Sequence, residues 1–289
     1  MALAGEYSID PRPGSNRLLS RLLENESILF AAYDLITEAA TRGDRVVLGE
    51  AWLLDNFFLI EQQITQVQKH LPRRYSYQLP RLANGASAGL PRIYDLALQL
   101  ISHMDARIER KNVIQFIEAY QTVEPLNLGE LWAFPIMLQL ALLENLRRVA
   151  LRIARRREEI VQAADWTDQI LAIIENKPDQ LVSLLAKLGS SDIPLTASFV
   201  EEFHARLQIQ GPAMMIVQGW IEQKLQEQGV TITQILENAT RAAAANQISI
   251  ANSIGSLRFI NAMDWREYVE QLSAVEAVLR KDPVGMHAQ

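Results

Sequence analysis

Apolar residues recur along most of this chain at three- and four-residue intervals, the spacing that lines one side of an α-helix. From Asn16 onward the positions Leu18, Leu19, Leu22, Leu23, Ile28, Leu29, Tyr33, Leu35 and Ile36 follow it, and "TRGDR" around Gly43 ends it. A second pattern, "GEAWLLDNFFLIEQQI" (49–64), predicts one helix that is apolar on almost every side and stops near Leu71-Pro72. Further helical patterns cover 93–107 and 112–121, then a long one from about Leu128 to Ala164 with Pro135 in its first two turns. Shorter ones follow at 167–175, 178–187, 196–209 and 212–228, the last closed by Gly229. The final two run from Thr231 or Thr233 and from Asp264, residues suited to the N-cap, to Pro283. Sustained period-2 alternation is lacking. The expected fold class is all-α, roughly ten to twelve helices in one or two packed helical subdomains.

Residues 1–15 hold Pro11, Pro13 and Gly14 and read as an extended leader. A helical subdomain is expected over 16–164, interrupted by a Pro/Gly-rich loop at 71–92, and a second over 165–289. The boundary rests on a shift to shorter helices richer in Ala, Gln and Ser. Tyr75, Tyr77, Leu79 and Leu82 give the loop side chains that favour burial, so it reads as an ordered connection.

At 289 residues and with no cysteine, the chain can bury a large core without disulfides, and thiolate metal sites are excluded. The formal net charge of −6 argues against nucleic acid as a partner. Neither the first residues nor any apolar stretch has the order of a secretory signal or the length of a membrane span. The nearest approach, "LWAFPIMLQLALL", ends on Glu144.

Candidate chemistry is sparse. Asp55 and Asn56 sit within the most apolar helix, and Glu61 follows six residues later, on another face of the same helix. A paired, structural Asp55 is the expectation, with the basic helix around Arg147 and Arg148 as the source of its partner. His103, in "LISHMDAR", lacks a second ligand at metal-binding spacing; "EEFH" (201–204) is a solitary Glu-x-x-His. No metal site and no catalytic residue is expected. The basic stripe Arg148, Arg152, Arg155 and Arg156 has two readings: a docking face for an anionic membrane or neighbouring domain, or a solvated helix balanced by Glu144, Glu158 and Glu159. Arg81 and Arg92 each follow a proline in the loop, where a rigid approach suits docking. "GEAW" (49–52) and "GELW" (129–132) both open apolar helices with a glutamate in the first turn, where the helix dipole favours it. Trp52 and Trp132 are expected in the core.

Four ordered phrases carry a resemblance: "WLLDNFFLIEQQI", "LPRLANGASAGLPRIYDLALQLISHMDAR", "FIEAYQTVEPLNLGELWAFPIMLQLALLENLRR" and the closing "LRKDPVGMHAQ". Together they resemble the N-terminal region of cyclic β-1,2-glucan synthases, with Phe58 departing from a histidine common in that family. The resemblance implies a bacterial parent enzyme at the inner membrane, with this segment on the cytoplasmic side. That parent would carry a glycosyltransferase of family 84 using UDP-glucose and Mg²⁺, and a phosphorylase-like domain of glycoside hydrolase family 94. None of those catalytic residues maps onto this chain, and no cofactor is expected within it. The implied role is a non-catalytic helical module that serves as scaffold or interdomain docking element, its partners being other domains of the same polypeptide. Alternatives are a carbohydrate-binding module for β-1,2-glucan and a helical protein-interaction domain.

Overall fold

The computed structural model describes residues 8–10, 17–71, 78–190, 195–207 and 212–273. Most of the expected leader, Tyr75 and Tyr77 of the loop, His287 and the closing phrase lie outside these residues. Among them are eleven α-helices and one two-stranded ribbon, so the fold is all-α. In the ribbon, β1 (Ile9–Asp10) pairs antiparallel with β2 (Arg81–Leu82), in the register Ile9 to Leu82.

The chain packs as two compact units, one built from 1–150 with 247–289 and the other from 151–246. The composition shift near Ala164 suggests a single crossing, whereas packing divides the chain at two places, each inside a helix. In unit 1, α1 (Arg17–Arg42) lies against α2 (Leu48–Asp55) and α3 (Phe57–His70). The stripe Leu18, Leu22, Leu29, Ile36 of α1 is fully buried, as its spacing requires. The ring of Phe57 stacks on Tyr33 at 4.2 Å and meets Phe30 edge-on at 5.0 Å. Such geometries add about 0.5–1.5 kcal/mol beyond the area buried. The unit continues with α4 (Arg92–His103), α5 (Arg110–Gln121) and the first half of α6 (Leu128–Asn176). The second half of α10 (Ile232–Ala262) and α11 (Trp265–Leu272) complete it.

The single helix expected over 49–71 is two. Asn56 stands between them at φ −111°, ψ 9°, and its Nδ2 donates to the Trp52 carbonyl at 2.9 Å, replacing a backbone bond. The two helices expected at 128–164 and 167–175 are instead one. No Gly or Pro separates them, and the Thr167 hydroxyl donates back to the Ala163 carbonyl at 2.7 Å. Pro135 is accommodated within that helix.

Unit 2 contains the rest of α6, a 3₁₀ turn at Pro178–Gln180, α7 (Leu181–Ser190), α8 (Ala197–Arg206), α9 (Pro212–Glu227) and the start of α10. Its own core gathers Ile170, Leu184, Leu188, Phe199, Phe203, Ile221 and Leu225. Thr196 caps α8 by accepting from the Phe199 amide at 3.3 Å. Thr231 and Gln234 exchange bonds across the start of α10 at 3.0 and 3.2 Å. Gly229, between α9 and α10, takes φ +75°, a conformation that side chains disfavour.

Candidate functional site

The polar interior of unit 1 is organised around Arg92. Proline 91 places Arg92 at the first turn of α4, where the side chain is 4% exposed. Its Nε and Nη2 donate to the two carboxylate oxygens of Glu130 at 2.8 and 2.7 Å, a bidentate pair. Nη1 reaches Glu124 and Nη2 the Pro125 carbonyl, both at 3.2 Å. Burial alone would make the guanidinium easier to deprotonate, but the bonds and charge of Glu130 outweigh it and raise the pKa. Glu130 is wholly buried and also accepts from the Asn127 amide at 3.0 Å, while its own amide donates to Asn127 Oδ1 at 2.9 Å. One carboxylate thus caps α6 and clamps α4 to it.

The twin phrase at 49–52 folds alike. Glu50 is wholly buried and accepts from the Val47 amide at 2.9 Å. The tryptophan of each phrase faces outward: Trp52 is 37% exposed and Trp132 45%. Both were expected in the core, but the buried glutamates fix the helix rotation, and Trp52 and Trp132 sit two residues further on, away from the packed side.

A second cluster joins α1, α4 and α6. Glu144, almost fully buried, accepts from Arg147 Nη2 at 3.1 Å and faces Arg21 Nη2 at 3.6 Å. Arg147 also approaches Glu24 at 3.6 Å. The Arg21 guanidinium lies 5.9 Å from the centroid of the buried Tyr94 ring. Burial, then the charge of Glu144, push the Tyr94 hydroxyl up to about 12, against the opposing pull of Arg21 and Arg148.

Helix α10 pins a third point. Asp105 and Ala106 adopt φ +46° and +61°, rare for residues other than glycine. Asn252 donates to the Asp105 carbonyl at 3.0 Å. The Ser256 hydroxyl donates to the Ala106 carbonyl at 2.7 Å and accepts from the Ile108 amide at 2.8 Å. Gln139 to Asn261 at 2.9 Å, and Asn145 to Ser249 and Ser253 at 2.9 and 3.0 Å, extend the same seam.

The residues singled out by sequence fall in different places. Asp55 is exposed, and none of the described arginines pairs with it, contrary to expectation. The break at Asn56 lets α2 end with Asp55 on its solvent side. Asn56 takes the tying role, accepting from Arg258 at 2.9 Å. Arg81 is buried beside Asp10 at 3.8 Å, supporting the ribbon. His103 is exposed, with Nδ1 2.8 Å from the Gln99 carbonyl. In unit 1, Arg148 is exposed on α6. In unit 2, Arg152 donates to Asn246 at 2.8 Å, Arg155 lies 3.4 Å from Glu159, and Arg156 lies 3.2 Å from Glu201. Those three are thus engaged with neighbours in their own unit. Sequence reasoning gave the "GELW" glutamate, Glu130, only as a first-turn residue and Glu144 only as a charge balancing the basic stripe, and it did not single out Tyr94 or Ser256.

Among the described residues no group of three or more His, Asp or Glu is placed to hold a metal ion. No helix among them is long and apolar enough to cross a membrane. Fold and site together define an all-helical module whose buried polar groups chiefly hold helix to helix. By sequence it is similar to a cyclic β-1,2-glucan synthase, the family that the four phrases resemble. Over 262 residues, 91% of the chain, it is 30% identical to the cyclic beta-(1,2)-glucan synthase NdvB of Rhizobium meliloti (strain 1021). The chain spans only 9% of that protein's length. No family model matches it.

Proposed function

We propose that this chain is a non-catalytic helical module of a cyclic β-1,2-glucan synthase-like enzyme, lying N-terminal in it and serving as scaffold or interdomain docking element. The observation that carries the reading is the 30% identity over 91% of the chain to a protein of which that stretch is only 9%. The spending of Arg92, Glu130, Asn56 and Ser256 on helix-to-helix bonds supports it, since groups so committed are poor candidates for turnover chemistry. On this reading UDP-glucose and Mg²⁺ belong to other domains of the parent, which sits at a bacterial inner membrane with this module on the cytoplasmic side. The module's partners are those domains. Incubating the isolated chain with UDP-glucose and Mg²⁺ yields no glucan, while adding it in trans to a parent enzyme lacking it restores cyclic product. Glucan made by the chain alone would overturn the reading.

The exposure of Trp52 and Trp132 favours a second reading, direct binding of β-1,2-glucan by stacking of sugar rings on indole faces. Titration with β-1,2-glucooligosaccharides, read by tryptophan fluorescence, tests it; no change up to millimolar sugar rejects it.

A further inference from the structure

Of the chain's asparagines, Asn84 alone is followed by a glycine. Asn84, Gly85 and Ala86 are exposed at the tip of the loop between β2 and α4. The loop is closed at its base by the Leu82 amide on the Leu90 carbonyl at 3.1 Å and the Gly89 amide on the Leu82 carbonyl at 2.7 Å. Gly85 takes φ +78°, and a β-carbon added there would meet nothing within 4 Å, so solvent reaches this stretch of backbone. The Gly85 amide donates to no backbone acceptor among the described residues. Asparagines inside helices, such as Asn145 and Asn252, instead precede amides tied into the helical ladder.

The Asn84 side chain is also held and polarised. Its Oδ1 accepts from the Ser8 amide at 3.2 Å. A backbone donor thus already faces the oxygen on which negative charge develops when a nucleophile adds to Cγ. The adjacent nucleophile is the Gly85 nitrogen, and glycine brings no β-carbon to obstruct its approach. The same segment anchors β1: the Ala83 amide donates to the Ser8 carbonyl at 2.8 Å, so both bonds that hold Ser8 flank the Asn84 backbone. Beyond Ser8 the ribbon has only two residues on each side, Ile9 with Leu82 and Asp10 with Arg81. So short a ribbon is marginal when its end is released.

We infer that Asn84 is a site of spontaneous modification, a deamidation that converts it to an isoaspartyl residue and frees β1 from β2. The Gly85 nitrogen, having given its proton to solvent, attacks Asn84 Cγ. A carbon–nitrogen bond forms, the electron pair of the carbonyl moves to Oδ1 beside the Ser8 amide, and its return expels Nδ2, which leaves as ammonia with a proton from water. The product is a succinimide. One water then opens that ring at either carbonyl. Opening at the α-carbonyl routes the backbone through the former side chain and leaves a free α-carboxylate; opening at Cγ gives an ordinary aspartyl residue. Nothing is oxidised or reduced: one water enters and one ammonia departs. In the isoaspartyl product the backbone gains a methylene next to Ala83, and the carbonyl that held Ser8 becomes part of the main chain. Both Ser8 bonds are lost. The site is separate from the Arg92–Glu130 clamp and independent of the scaffold reading.

The test is storage of the full chain at neutral pH and physiological temperature, with peptide mapping by mass spectrometry at intervals. Conversion is expected at Asn84 ahead of every other asparagine, in isoaspartyl and aspartyl forms that separate by chromatography. Gly85→Ala is expected to slow it roughly tenfold, because the added methyl crowds the attacking nitrogen and disfavours the positive φ. Should that variant fail to fold, Asn84→Gln, whose side chain would have to close a larger ring, is expected to keep its amide over the same period. Amide exchange at Ala83 is expected to quicken in the purified isoaspartyl fraction and to stay slow in Asn84→Asp, which has the charge on an ordinary backbone. Retention of the Asn84 amide in the folded chain while a peptide spanning Leu82–Ser87 converts, or equal rates in wild type and Gly85→Ala, overturns the site. Unchanged Ala83 exchange in the isoaspartyl fraction overturns the release of β1.

Discussion

Replacing Glu130 by alanine removes the acceptor on which the α4–α6 clamp depends. Arg92 loses two charge-assisted bonds of 2.8 and 2.7 Å and keeps only Glu124 and the Pro125 carbonyl, both at 3.2 Å. Each such bond is worth about 1.5–3 kcal/mol. Arg92 is 4% exposed, so its charge stays largely desolvated, and stranding one partner of a buried pair costs about 3–5 kcal/mol. The Asn127 amide loses its cap at the same time. With a urea slope of about 3 kcal/mol/M, the midpoint falls by about 1–1.7 M. Glu130→Gln retains the shape and one acceptor, and is expected to cost about half as much. The double variant Arg92→Met/Glu130→Met removes both charges together. It is expected to be more stable than Glu130→Ala, because no unpaired charge remains. Urea titrations followed by circular dichroism, with the slope checked in each variant, measure all three. A Glu130→Ala midpoint equivalent to less than about 1 kcal/mol below wild type, at unchanged slope, would refute a buried, bond-satisfied Arg92.

Three other outcomes follow from particular contacts. Tyr94, neutral and raised to about 12 in the folded chain, holds its proton where the unfolded chain, near pH 10, loses it. Its contribution is complete below pH 10 and is lost as pH rises through 12; by linkage this amounts to roughly 2–3 kcal/mol. Tyr94→Phe is therefore expected to flatten the alkaline fall in stability measured by urea midpoints from pH 9 to 12, and an unchanged fall counts against the burial argument. Ser256→Ala strands the Ala106 carbonyl and the Ile108 amide and is expected to cost about 1–3 kcal/mol, with faster amide exchange at Ile108 as the local readout. Asp55→Ala is expected to change stability by less than about 0.5 kcal/mol, whereas Asn56→Ala, which loses bonds to Trp52 and Arg258, costs about 1 kcal/mol; equal costs would contradict the observed break.

The candidate site was partly legible. Arg92 and Arg81 stood out because each follows a proline in an otherwise permissive loop. Their partners did not, since Glu130 is 38 residues from Arg92 and nothing in local spacing links them. Asp55 misled for a related reason. A stretch apolar on nearly every side gives no preferred face, so periodicity could not tell that Asp55 and Trp52 point to solvent while Leu53, Phe57 and Ile60 point inward.

What the sequence determined by itself was local: helical class, and most starts and stops, because the 3.6-residue period, the Thr196, Thr231 and Asp264 caps and the turn at Gly229 act over a few residues. It also carried a likeness, 30% identity over 91% of the chain, to a cyclic beta-(1,2)-glucan synthase. Tertiary structure decided the rest. Packing chose the rotation of each helix, split one expected helix at Asn56, and left two others as one continuous helix across 165–166. It brought residues 247–273 back to unit 1 beside segments more than a hundred positions earlier, as in Ser256 against Ala106. Such choices rest on burying apolar faces while meeting each buried polar group, and those conditions exist only once distant segments are in contact.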